Sequence, residues 1–320
     1  MSAAAAVAAV AWPVGRLEPL VGAPVVALAL GVLAATALGS PGRLGPGVAL
    51  CSRSVLQAAI VTLGASLSLG SVASVGLSTL PVLAGTLAAA FAVAAFAGRR
   101  LGVPPVLRTL VGVGTGICGA SAIAAVSTVL SATQAEVAYA VSTIFAFNLL
   151  AVVVFPPLGH LLGLSQSGFG LWAGTAVNDT SSVVAAAYAY GNVAGAHAVL
   201  VKLTRTLAIV PVVAFLGARR GRTVRWTRVV PWFVVWFLLA AAASSVGVLP
   251  AGTRHGFQQA ALALFTVALA AVGLSTSLAE IRRAGARPLL LGTLVWAAVA
   301  VTGLLLAGGL SADRLPWPPG

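Results

Sequence analysis

Long apolar runs dictate what this chain can fold into. Eight stretches, at 21–38, 54–70, 80–98, 137–156, 197–216, 229–247, 257–275 and 288–308, are apolar and bounded by Arg, Gly or Pro. Runs of about 17 to 25 apolar residues match the thickness of a bilayer's hydrocarbon core. Only 7% of the 320 residues are charged, against roughly 25% in soluble domains, so a water-soluble enzyme is ruled out. The expected fold class is an all-α polytopic membrane protein, a single transmembrane domain over 1–320 whose first partner is the lipid bilayer.

The formal charge of +13 could be the footprint of a phosphate binder, but the arginines sit in the gaps between apolar runs. That placement follows the positive-inside rule, so no nucleic-acid partner is expected. Arg43, Arg53, Arg99, Arg100, Arg108, Arg219, Arg220, Arg222, Arg225, Arg228, Arg282, Arg283 and Arg287 fall on one side, and Arg16, Arg254 and Arg314 on the other. The loops 43–53, 99–108, 219–228 and 282–287 are therefore expected in the cytoplasm, in a cytoplasmic (inner) membrane, with both termini outside. Trp226 and Trp232 beside the 219–228 cluster read as headgroup anchors. Within the N-terminal segment 1–20, the run Ser2 to Trp12 lacks a basic n-region and is too short to cross, so a cleaved signal peptide is not expected.

Two further stretches, 104–131 and 166–190, carry small and polar residues at their centres. Lipid-facing helices do not, so these read as broken or re-entrant helices. A repeat adds to this picture. Gly64, Ser66, Ser68, Leu69 and Gly76 match Gly273, Ser275, Ser277, Leu278 and Gly285, and Pro81, Gly85, Thr86 and Leu87 match Pro288, Gly292, Thr293 and Leu294. A weaker echo relates 116–126 to 174–186, each followed by a span that ends in Pro, Pro156 or Pro211. If both broken stretches cross fully, the two repeats disagree in direction. If both are hairpins, every repeated element is inverted, with elements at 52–156 and 166–308. Inverted repeats with discontinuous helices are the usual build of secondary transporters.

Polar groups inside a membrane are functional candidates. Lys202, the only lysine, and Arg205 stand one helical turn apart near the middle of a run, placed to clasp a divalent oxyanion or to pair with Asp179. Asn178, Asp179, Thr180, Ser181 and Ser182 occupy the centre of the second broken stretch, where a helix N-terminus could face an anion. Asp179 is the coupling-ion candidate for H+ or Na+, or else an N-cap. Gly112, Gly114, Gly116 and Gly119, with Cys118 and Ser121, would let backbone approach a ligand in the first broken stretch. Asn148 reads as an interhelical hydrogen bond, and His160, His197 and His255 as interfacial residues. Cys51 and Cys118 imply neither a disulfide nor a metal site, and no cofactor is expected. No catalytic constellation or P-loop is found, so transport would draw on an ion gradient; the sequence leaves a homo-oligomer open.

The blocks GICGASAIAAV, AEVAYAVSTIFAFNLLAVVVFPPLGHLLGLS, FGLWAGTAVNDTSSVVAAAYAYG, VLVKLTRT and VGLSTSLAEIRRAGARPLLLG, in this order, resemble the YeiH group of bacterial inner-membrane proteins, named as sulfate exporters. The resemblance runs from about residue 20 to 310. It implies a transporter of sulfate or a related sulfur-containing anion, with Cys118 to Ser121 matching the family's Cys-Gly-Ala motif and Lys202 with Arg205 its paired cations. Where relatives commonly have a His, an acid and a later Gln, this chain has Asn178, Asp179 and Ser182, so it keeps the acid and lacks the His of a relay. The alternative reading is a Na+-coupled importer of a carboxylate or sulfonate, and a non-transporting membrane subunit ranks behind it.

Overall fold

The structure is a computed structural model that describes residues 2–17, 23–38, 45–221, 229–275 and 286–309. Arg43, Arg222, Arg225, Trp226, Arg228, Arg282, Arg283, Arg314 and the repeat residues Ser277, Leu278 and Gly285 lie outside the described residues. Among the described residues every regular element is helical. They are α1 (Ser2–Leu17), α2 (Ala23–Leu38), α3 (Gly45–Ala65), α4 (Leu69–Arg100), α5 (Pro105–Gly116), α6 (Ala120–Leu130) and α7 (Gln134–Leu161). α8 (Gln166–Ala176), α9 (Thr180–Tyr190), α10 (Asn192–Arg219), α11 (Trp232–Ser245), α12 (Arg254–Ser275) and α13 (Ala286–Gly309) follow.

Six of these, α3, α4, α7, α10, α12 and α13, are long and apolar enough to cross a bilayer. The expected spans at 21–38 and 229–247 are shorter helices of 16 and 14 residues. Pro231 stands at the N-cap of α11, and Gly247 with φ 79° follows its end, which trims that span at both sides. α4 begins eleven residues before the expected 80. Its polar residues do not interrupt it, because Ser74, Ser78 and Thr79 donate to carbonyls of their own helix, and Ser68 caps the start by accepting from Ser71 N at 3.1 Å. Residues 45–53, expected as loop, are also helical; Arg53 lies on an exposed face and Cys51 is buried in a π-helical stretch, Cys51–Val55. The N-terminal segment is a helix whose Ala4, Ala8 and Ala11 face the α2 and α12 packing.

The helices form two units. α1, α2, α3, α11 and α12 pack chiefly on one another, and α4 to α10 with α13 form the second. In the first unit α2 and α12 cross backbone on backbone: a Cβ on Gly273 would lie 2.4 Å from Leu28 O, and one on Gly31 2.5 Å from Ala270 O. Small residues at such a crossing let dispersion contacts hold helices together where lipid offers no hydrophobic drive. Gly64, the repeat partner of Gly273, makes the same kind of approach, 2.7 Å from Phe237 O on α11.

In the second unit, helix directions follow from the contacts. Gly98 packs on Leu291 and Gly85 on Leu306, so α4 and α13 are antiparallel, and Gly102 lies beside Arg287 at the start of α13. Thr143 packs on Gly292, and Phe147 stacks on Trp296, so α7 runs parallel to α13. α5 therefore starts and α6 finishes at the same end of the bundle. This end carries Arg99, Arg100, Arg108 and Arg287. At the opposite end Tyr190 OH donates to the carbonyls of Gly159, at 3.3 Å, and Leu164, while Gln166 Oε1 accepts from Val193 N at 3.1 Å. α8 thus starts where α9 finishes. Both broken stretches are re-entrant hairpins, and they enter from opposite ends. α4 and α13, which carry the described parts of the stronger repeat, run antiparallel, and the two hairpins enter from opposite ends.

The glycine crossing predicts a paired result. Gly273→Ala lowers the Tm of the purified protein, with overpacking costing about 1–3 kcal/mol. Gly308→Ala, which meets open space, is neutral or slightly stabilising; equal Tm values for the two variants would refute the close-packed crossing.

Candidate functional site

The two hairpin tips meet in the middle of the second unit. α5 stops at Gly116, and the chain turns through Ile117 and Cys118 to Gly119, whose φ of 69° and ψ of −132° suit only glycine. A Cβ there would also lie 3.5 Å from Asp179 Cβ, so the tips touch. α8 stops at Ala176, and extended residues Val177 and Asp179 lead into α9.

Each tip leaves the last carbonyls of a half-helix without intrahelical partners. Lys202 and Arg205 on α10, 0% and 2% exposed, supply them. Lys202 Nζ donates to Ile117 O at 3.0 Å and to Val177 O at 2.9 Å, the C-cap carbonyls of α5 and α8. Arg205 Nε donates to Gly116 O at 2.6 Å, Nη2 to Thr115 O and Nη1 to Thr175 O. One helix face thus caps two half-helices that come from opposite ends. The cations sit at the negative ends of both dipoles. The expectation was an oxyanion clasp; in the structure Lys202 makes two hydrogen bonds and Arg205 three to protein carbonyls, and neither side chain is in the lining of the cavity described below. The expected pairing with Asp179 is also absent from the hydrogen bonds these cations make.

Asp179 is the N-cap of α9, its Oδ2 accepting from Ser181 N at 3.0 Å and from Ser181 Oγ. Its own N–H donates to Asn148 Oδ1 at 3.1 Å, which fixes the second tip to α7. Asn148 thereby makes the interhelical bond expected of it. Beside these groups lies a cavity of about 230 Å³ at the junction of the two units. Its polar lining is Asn148, Asp179, Ser181 and Ser182. α7 contributes an apolar wall that includes Ile144, Phe145 and Leu149, and the first unit presents only Leu28 and Val272.

Of the candidate residues, Asp179 and Ser181 line this cavity, and Gly119 adjoins it through Ala120, also in the lining. Cys118 is buried at the first tip, Ser121 is exposed on the first turn of α6, and Thr180 is half-buried on α9; none of the three lines the cavity. Asn178 is fully buried, and neither Oδ1 nor Nδ2 of its amide has a hydrogen-bond partner, as is true of Thr115 Oγ1. Ser182, named with the second broken stretch, lines the cavity, whereas the cavity-facing role of Asn148 was missed by sequence reasoning. The signal was present in α7, where Val141, Ile144, Phe145, Asn148, Leu149 and Val152 recur at helical spacing around a single amide. His197, expected at an interface, is 1% exposed inside the bundle, because α10 starts at 192 and carries it inward. His160 is exposed and stacks on Tyr190 with ring centroids 4.2 Å apart.

The chain is similar to UPF0324 membrane proteins over 92% of its length and 92% of theirs: 41% identical over 313 residues in Streptococcus pyogenes serotype M18, and 36% over 320 residues in Fusobacterium nucleatum. A Streptococcus pneumoniae R6 relative is 40% identical over 307 residues, covering 92% of this chain and 91% of the relative. No solved structure matches it. The relatives' names specify a membrane protein and no substrate, so the expectation of sulfate goes beyond what the family supports. The model of the family described as Conserved hypothetical protein 698 matches residues 1–292, and the chain belongs to that family of membrane proteins.

Proposed function

We propose that this protein is a secondary transporter of small oxyanions, working by alternating access. One observation carries the reading. Two re-entrant hairpins, entering from opposite ends, bring the N-termini of α6 and α9 together at one cavity, whose lining includes Ala120, Asp179, Ser181 and Ser182. α6 has no side-chain cap at its N-terminus, so its first N–H groups are available to an anion. Lys202 and Arg205 lie one layer behind, where their charge raises the local potential without blocking the cavity.

Sulfate-like anions fit the polar side of the cavity and the resemblance to the YeiH group. The apolar wall favours a second reading, an organic anion such as a sulfonate or carboxylate whose tail rests on Phe145, Leu149 and Val272. The end that bears Arg99, Arg100, Arg108 and Arg287 faces the cytoplasm in this proposal. Transport needs no catalytic group, and no enzyme activity is proposed.

Asp179 sets the coupling. Its carboxylate lines the same cavity as the anion and is the coupling-ion site of this proposal. The direct test is thermal stabilisation of the detergent-solubilised protein by sulfate, sulfite, taurine and acetate across pH, since a ligand selective for the folded state raises Tm. The expected result is a shift whose dependence on pH in the wild type is lost in Asp179→Asn. A shift with the same pH dependence in both proteins would remove Asp179 from coupling, and no shift with any of these anions would sink the transport reading.

Ser182→Ala tests the cavity itself. It removes one lining hydroxyl that takes no part in capping and is expected to weaken anion binding by roughly 5- to 10-fold, the equivalent of about one hydrogen bond, at unchanged Tm. Titration of the anion-induced Tm shift reads both quantities; unchanged binding would place the anion elsewhere.

A further inference from the structure

In transporters built on discontinuous helices, unwound carbonyls and half-helix C-termini are the groups that coordinate a dissociable Na+. Here five such carbonyls, from Thr115, Gly116, Ile117, Thr175 and Val177, converge from two half-helix ends, and every one accepts from Lys202 or Arg205. We propose that Lys202 and Arg205 are built-in coupling cations: the protein carries covalently, on α10, the positive charge that a bound Na+ would otherwise bring to the hairpin crossing. The site is consequently assembled without Na+, and the anion cycle of this protein is Na+-independent. This meaning rests on the transport reading above, whereas the geometry does not.

Three observations support the assignment. First, each cation bridges both hairpins, as a shared ion would: Lys202 joins Ile117 to Val177, and Arg205 joins Thr115 and Gly116 to Thr175. Second, both side chains are buried, so neither can exchange with solvent as a surface group does. Third, Thr115 Oγ1 and Asn178 Oδ1, which adjoin the capped carbonyls in sequence, are buried oxygens without partners. They are oxygens at the crossing that Lys202 and Arg205 leave unused. The pocket around Lys202 Nζ is thus a latent monovalent-cation site, with Ile117 O and Val177 O as its fixed ligands. Removing the lysine should uncover it.

The experiment uses the full chain in detergent, in choline, sodium or ammonium chloride at one ionic strength and with no oxyanion present. Wild-type Tm is expected to be the same in choline and in Na+. Lys202→Ala is expected to lose several degrees in choline and to regain part of the loss in Na+ or NH4+, which fit the vacated space where choline does not. Lys202→Met fills the space with an apolar chain, so it is expected to stay low in all three salts. A wild-type Tm that rises in Na+ over choline would overturn the proposal, because the protein would then hold a dissociable Na+. Equal Tm values for Lys202→Ala in choline, Na+ and NH4+ would overturn it too. If Lys202→Ala does not fold, the wild-type comparison still decides. The oxyanion titration is run separately in Na+-free buffer. A parallel titration is run with Na+: failure of every anion to bind in both buffers sinks transport and leaves the cation result standing, whereas anion binding that appears only with Na+ sinks the built-in cation alone.

Discussion

Ending a helix inside an apolar medium is the constraint on which the rest of this molecule depends. A terminus leaves up to four carbonyls without partners, and with no water to receive them each orphaned group costs about 1–3 kcal/mol. Two hairpins double the problem at one level of the bundle. The chain solves it with two side chains from a third element, so α10 becomes the post to which both tips are tied. A buried cation is costly unless its hydrogen bonds are satisfied, and here the two deficits cancel. The carbonyls need donors, and the cations need acceptors. This mutual need explains why the sole lysine and an arginine sit one turn apart in the middle of an otherwise apolar run.

The same arrangement sorts charge within the bundle. The C-terminal ends of α5 and α8 turn towards α10, and the N-terminal ends of α6 and α9 turn towards the cavity. Four half-helix dipoles that would oppose one another in a continuous bundle are thereby separated into a cation-capped side and a side that lines the cavity. Asp179 belongs to both descriptions. As the cap of α9 it steadies the helix start, and its carboxylate also lines the cavity.

Much of this was legible in the sequence. Apolar run length gave the helices, and the small, polar centres of 104–131 and 166–190 gave the breaks to within a few residues. Entry from a single end was harder, because two hairpins and two spans leave the arginines on the same sides; only the direction of the repeat hinted at it. For Lys202 and Arg205, depth and spacing show that two cations share a buried face but not what they face. Carbonyls carry no letter of their own in a sequence, so the five acceptors that claim these side chains could not be seen. Ser74, Ser78 and Thr79 misled: they resemble a loop, yet they bond within α4 and leave it intact.

The cavity's composition bears on how the two units could move. All its polar groups, Asn148, Asp179, Ser181 and Ser182, belong to the second unit, and the first contributes Leu28 and Val272 alone. Leu28 and Val272 flank the crossing where Gly31 and Gly273 bring α2 and α12 together, so the first unit presents a stiff apolar face. Sliding one unit over such a face breaks no hydrogen bond at the ligand, whereas separating the hairpin tips would release several at once. Under the proposed function the low-cost motion is therefore that of the second unit as a block, tips, cations and ligand together. The cap that allows helices to end inside the membrane is also what keeps the binding groups in register during that motion.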